Sequence, residues 1–210
     1  MKKTLFLPVL MMLSVAVSAA PVSFPEHNFS IETPAGWTAI NDIPKPMLAA
    51  YQNADGSKKM LLLVQKLAGA QRALTNSQFL DGMKKGMARQ GMVLDSEQPG
   101  TIQGLPSITV TGHLPTGITL TAHVVGAGDK MYVMQAVLAP GIAAATDSEV
   151  QSVVQSFKFL TPVPALAESS DSDAVAFRVG FIIGVVLVLT IVVVGVVFII
   201  KRVAFSKPKA

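Results

Sequence analysis

Residues Val179 to Ile200, VGFIIGVVLVLTIVVVGVVFII, run for 22 positions without a charge. No other feature limits so strongly what the chain can fold into. At about 1.5 Å per residue, a helix of this length reaches about 33 Å, against a hydrocarbon core of about 30 Å. A core helix of a small domain is rarely so long and apolar on every side. Valine and isoleucine are poor helix formers in water. In lipid, however, a backbone must close its own hydrogen bonds, and a helix does so. The run is expected to be a transmembrane helix over residues 178–201, with the lipid bilayer as the partner of residues 179–200.

The charge distribution agrees. The net charge of +4 invites a nucleic-acid reading. Yet between Pro21 and Ala174 there are ten Lys or Arg against thirteen Asp or Glu, so the middle of the chain carries −3. The basic residues flank the apolar segments, which is how membrane topology is encoded and not how a phosphate-binding face is built. Nucleic acid is not expected as a partner. The chain has no cysteine, which removes thiol nucleophiles, cysteine zinc sites and disulfides together.

The N-terminus has the form of an export signal. Lys2 and Lys3 precede an apolar stretch, Leu5 to Val17, too short to span comfortably, and the small residues Ser18, Ala19 and Ala20 follow. Cleavage after Ala19 defines a signal peptide over residues 1–19, and the Met-Lys-Lys-Thr start has a bacterial look. Export carries the domain outward, while Lys201, Arg202, Lys207 and Lys209 hold a basic tail, residues 202–210, in the cytoplasm. The chain is thus expected in the cytoplasmic (inner) membrane, crossing once, with its N-terminal domain periplasmic or extracellular. Gly180 and Gly184 form a small-xxx-small spacing suited to pairing two copies of the helix. Residues 161–177, with Pro162, Pro164 and an acidic-serine run, are expected to be a flexible linker.

Residues 20–160 suffice for one core. Phe29–Thr33, Trp37–Ile40, Met47–Gln52 and Lys59–Leu67 are expected strands, and Met60 to Val64 is apolar enough to be covered on both faces. A helix is expected from Thr75, with Gln78 completing a capping box, and its stripe is Phe79, Leu80, Met83 and Met87. Its other face, with Lys84, Lys85 and Arg89, is expected to be solvated. A second helix is expected from Thr146 with Glu149, carrying Val150, Val153, Val154 and Phe157.

Between these helices the stretch from Ser107 to Val125 specifies a hairpin register. A three-residue loop, Pro115-Thr116-Gly117, places glycine where a bulged type I turn needs positive φ. Gly112 then faces Leu120, Val110 faces Ala122, Thr111 faces Thr121 and Thr109 faces His123, giving one apolar and one polar face. A last strand follows over Met131–Leu138. Hairpin connections dominate, so the fold class is α+β, a mostly antiparallel sheet packed with two main helices, plus the C-terminal transmembrane helix. Because both helices and every hairpin precede Leu160, deleting Arg178 to Ala210 is expected to leave a soluble, folded domain.

Three segments carry a resemblance. FSIETPAGW, GMKKGMARQGMVLDSEQPGTIQGLPSITVTG and VQSVVQSFKFL resemble the opening, the helix–turn–strand passage and the closing helix with its Ser-Phe strand of PsbP-like domains. The resemblance implies an α/β/α sandwich over about residues 24 to 160. It transfers no catalytic residue, because the matched positions are turns and core. The photosystem role of the extrinsic protein PsbP does not transfer either, given the expected anchor and export signal.

Catalytic signatures are absent from the sequence: no Gly-x-Ser-x-Gly, no phosphate-loop lysine motif and no His-Glu-x-x-His occurs. His113 and His123 share a sheet face in the derived register but stand about 13 Å apart, too far for one metal ion. Together with His27 they read as surface residues, and no metal or cofactor is expected. The function these features imply is a non-enzymatic, membrane-anchored binding or assembly module with a protein partner outside the cytoplasmic membrane, and a homodimer if Gly180 and Gly184 pair. The second reading is a carrier of a small apolar ligand, or an enzyme, using a pocket near Trp37 and Tyr51.

Overall fold

A computed structural model describes residues 21–67, 69–163 and 176–187. Seven strands form one sheet in the order β3-β4-β5-β9-β8-β7-β6: β3 (Thr38–Ala39), β4 (Met47–Gln52), β5 (Lys58–Lys66), β6 (Val93–Ile102), β7 (Leu105–His113), β8 (Thr119–Ala127) and β9 (Lys130–Leu138). A smaller sheet has the order β1-β2-β10, from β1 (Pro21–Phe24), β2 (Phe29–Glu32) and β10 (Lys158–Phe159). Every pairing among the described residues is antiparallel. The helices are α1 (Ala70–Ala73), α2 (Ser77–Arg89) and α3 (Ser148–Ser156), and residues 176–187 are also helical. The α+β class with an antiparallel sheet is as the hairpin pattern implies.

The register of β7 on β8 follows from its loop. Val110 pairs with Ala122, Gly112 with Leu120, Thr111 with Thr121 and Thr109 with His123. Gly117 takes φ +82°, and Leu114 N–H donates to the Ile118 carbonyl at 2.9 Å. A two-residue loop would have mixed the faces of both strands. Met60 to Leu63 are all buried, as an apolar strand covered on both sides must be.

The large sheet has two covered faces and hence two cores. On one face Leu61, Leu63, Val110, Leu120, Ala122 and Val133 meet α1, α2 and the 176–187 helix. On the other, Met60, Leu62, Val125, Tyr132 and Met134 meet α3 and the small sheet through Phe29, Ile31 and Phe157. Phe29 stacks on Phe157 at 5.4 Å and meets the Tyr132 ring edge-on at 5.6 Å. Such ring pairs add specificity to the area they bury.

Two helix starts differ by one residue from the capping-box reading. Asn76, not Thr75, caps α2 by accepting from Gln78 N–H at 2.8 Å. Asp147, not Thr146, caps α3 by accepting from Val150 N–H at 3.1 Å. Asn and Asp are stronger N-caps than Thr, and in both places they stand immediately after it. Asp147 also meets Lys58 at 2.6 Å, and Glu149 meets the same ammonium at 2.6 Å. Hydrogen bonds that the Lys58 ammonium donates to Asp147 and then to Glu149 hold its pKa above the usual range.

The segment read as a linker is structured at both described ends. Thr161 N–H donates to Asn28 Oδ1 at 2.9 Å, and Asn28 Nδ2 donates back to the Thr161 carbonyl at 3.1 Å. Helical structure is present from residue 176, two residues before the expected boundary. The signal peptide, residues 188–200 and the basic residues Lys201, Arg202, Lys207 and Lys209 lie outside the described residues. Among the described residues, no helix is long and apolar enough to cross a membrane.

Candidate functional site

The site grows from two glycines in the wrong place for a stable helix. Gly82 and Gly86 lie inside α2, where each costs about 1 kcal/mol relative to alanine. The structure supplies the reason. A side-chain carbon at Gly82 would collide with the Phe177 carbonyl, and one at Gly86 with the Phe181 carbonyl. The relation is reciprocal: a carbon at Gly180 would strike the Phe79 carbonyl, and one at Gly184 the Met83 carbonyl. The two helices run parallel, and matched small-xxx-small faces let their backbones touch.

The contact is extended on both sides of this seam. Towards the sheet, Ala176, Val179, Ile183 and Leu187 form a buried stripe against the core that holds Phe79, Met83 and Met87. Towards solvent, Lys85 Nζ lies 5.1 Å from the Phe177 ring centre, and the Arg89 guanidinium carbon 5.9 Å from that of Phe181. Cations over aromatic faces at these distances attract the ring. At the floor, fully buried Gln135 donates through Nε2 to the Leu187 carbonyl at 2.8 Å.

Three expectations change here. Gly180 and Gly184, whose spacing suits the pairing of two copies, are seated on α2 of the same chain, which offers the same spacing. The face of α2 with Lys84, Lys85 and Arg89 is not simply solvated: Lys84 bridges to Glu97 at 2.9 Å, and the other two roof the docked helix. The domain is also not complete before Leu160, because residues 176–187 contribute to its core.

Trp37 and Tyr51 are brought to one face. Ala39 pairs with Tyr51, so Trp37, two residues from Ala39, shares that face, and both rings join the core beneath the small sheet. Tyr51 is buried, and burial pushes its phenol up. Trp37 is half-buried, and its Nε1–H is buried with no partner among the described residues.

The histidines separate. His113 is partly exposed and meets Asp95 at 2.8 Å, where a bulge between Leu94 and Ser96 redirects the strand. His123 is buried, against the expectation of a surface position, because the polar hairpin face is covered at Thr121 and His123 and only partly at Thr109, Thr111, His113 and Thr119. Its Nδ1 lies 2.9 Å from Thr109 Oγ1, its Nε2 has no partner among the described residues, and burial lowers its pKa to about 4. Beside it Thr111 and Thr121 share a hydrogen bond of 3.0 Å. Among the described residues, no three metal-ligating side chains converge.

Comparison with known proteins bears on the fold. No family model matches the chain, and no curated protein does. A solved structure does: the cyanobacterial PsbP (CyanoP) of Synechocystis sp. PCC 6803 superimposes with a TM-score of 0.54 at 14% identity, covering 73% of this chain and 98% of that one. The fold is PsbP-like. A Bacteroides thetaiotaomicron structure matches with a TM-score of 0.41 at 14% identity, covering 68% of this chain and 48% of that one. A Pseudomonas aeruginosa protein of unknown function matches with a TM-score of 0.41 at 11% identity, covering 70% and 99%. Nearly all of the cyanobacterial chain is matched, while the remainder of this chain lies outside that likeness. At 14% identity the likeness shows the fold alone.

Proposed function

We propose that this chain is a membrane-anchored, extracytoplasmic binding or assembly module that performs no covalent chemistry. One observation carries the reading: the uncharged run from Val179 to Ile200 is followed at once by Lys201 and Arg202, with an export-type segment at the opposite end. The PsbP-like domain between them supplies a display surface, and no catalytic signature in the sequence competes with a binding role. The partner is a protein outside the cytoplasmic membrane, and the bilayer holds residues 179–200.

The test is fractionation of cells expressing the full chain with a reporter fused after Ala210. The chain should stay in membranes through alkaline carbonate extraction, the reporter should be cytoplasmic, and protease added from outside should reach the domain. Recovery of all the chain in the carbonate-released fraction, or an external reporter, contradicts the anchor. Crosslinking in intact cells should then recover the same protein partner repeatedly.

The second reading is a carrier of a small apolar ligand at Trp37 and Tyr51. The buried Trp37 Nε1–H, without a partner among the described residues, favours it, because such a donor gains from any acceptor a ligand brings. Saturable quenching of Trp37 fluorescence by dispersed fatty acid supports it, and unchanged emission removes it.

A further inference from the structure

Nine residues of the uncharged run, 179–187, are folded into the domain. The remainder, Val188 to Ile200, has thirteen residues, which reach about 20 Å as a helix against a hydrocarbon core of about 30 Å. Docking on α2 and spanning the membrane therefore draw on the same residues, and one excludes the other. We infer that residues 176–187 form a two-position element. Seated on α2, the segment closes the domain. Withdrawn, it completes the transmembrane helix and opens the glycine face of α2. The inference rests on the anchor reading proposed above.

Both faces of the segment fit this double use. Its inner face is matched to α2 position by position, with Gly180 and Gly184 against the backbone of Phe79 and Met83, and Phe177 and Phe181 beneath Lys85 and Arg89. A helix made only to cross lipid has no use for cations over its rings or for a glutamine donating to its Leu187 carbonyl. Its outer face shows the converse. Ile182 is 54% exposed, on a helix whose residues from 179 to 187 carry no polar side chain. A surface helix built only for water has a polar outer face. Beyond Arg178, which is exposed one turn before Ile182 and can snorkel to the interface, the segment carries a protein-facing stripe and a lipid-facing stripe. Opening also has a defined consequence: Gly82, Gly86 and the buried rings and thioethers beside them become a groove that takes a small-xxx-small helix.

The chain has no cysteine, so two can be placed freely. Lys85→Cys with Phe177→Cys, in the full chain, is treated in isolated membranes with a short bismaleimide and then extracted with alkaline carbonate. The crosslinked form should be confined to the released fraction and depleted about tenfold or more in the resistant one. Adding Gly82→Leu and Gly86→Leu should abolish the crosslink and leave the chain resistant. Equal crosslinking in both fractions overturns the inference, since docking and spanning would then coexist. A wholly resistant chain with no crosslink overturns it too, because no docked position would exist. A wholly released chain removes the anchor reading itself, and the absence of any resistant fraction distinguishes that outcome.

Discussion

The Gln135 side chain donates to the Leu187 carbonyl at 2.8 Å across the interface between β9 and the 176–187 helix. Gln135 is fully buried on a face otherwise lined by Leu61, Leu63, Ala122 and Val133. An amide in such surroundings is costly unless it is bonded, and in the docked position the Leu187 carbonyl supplies an acceptor. Gln135→Leu removes the donor at nearly constant volume. It should lower the stability of the full chain by about 1 kcal/mol, read from the shift in urea midpoint. A midpoint unchanged within error would mean that the bond contributes nothing.

The glycine seam gives a sharper contrast. Gly82→Leu gains helix propensity but places carbon against the Phe177 backbone, which cannot swing aside as a side chain does. A net loss of about 2 kcal/mol is expected. Gly100→Ala is the control. Its added carbon meets only Ser107 Oγ, at 3.5 Å, and stability should stay within about 0.5 kcal/mol. Equal effects of the two substitutions would rule out backbone contact between the helices.

Much of this fold was legible because local chemistry decides it. The Pro115-Thr116-Gly117 loop sets the β7–β8 register with no outside help, and Met60 to Leu63 announce a strand covered on both sides. What was hidden depended on layers. Alternation along β8 shows which residues share a face, but not whether that face is covered, so His123 read as exposed. Strand β6 lacked an apolar signal because it is an edge, with Pro99, Gly100 and mostly exposed residues. The stripe Ala176, Val179, Ile183 and Leu187 could not be seen, since almost every residue around it is apolar. The one sign of docking was the pair Gly82 and Gly86, which weaken α2 without a local reason.

The buried His123 makes stability depend on pH in a stated direction. Its folded pKa, about 4, lies below the ordinary 6.5, so the unfolded chain takes up the proton first as pH falls. This contribution is fully present above about pH 6.5 and is lost progressively towards pH 4, by about 3 kcal/mol at most. His123→Gln should flatten the stability profile across that interval when unfolding of both proteins is followed by circular dichroism. Parallel profiles would place the histidine in water.

The docked helix is part of the domain's core, and removing it probes this directly. Val179, Ile183 and Leu187 are buried, and they help to cover Phe79, Met83 and Met87. Burying side chains of this kind contributes about 1.5–3 kcal/mol each, so the helix supplies a share comparable to the whole stability of a small domain. The decisive measurement is thermal unfolding of a chain ending at Val163, followed by circular dichroism with a dye that reports exposed apolar surface. Strong dye binding and a cooperative transition at a greatly lowered temperature are expected. A sharp transition at the temperature of the full chain, without dye binding, would contradict the docking and return residues 176–187 to the role of a simple tether.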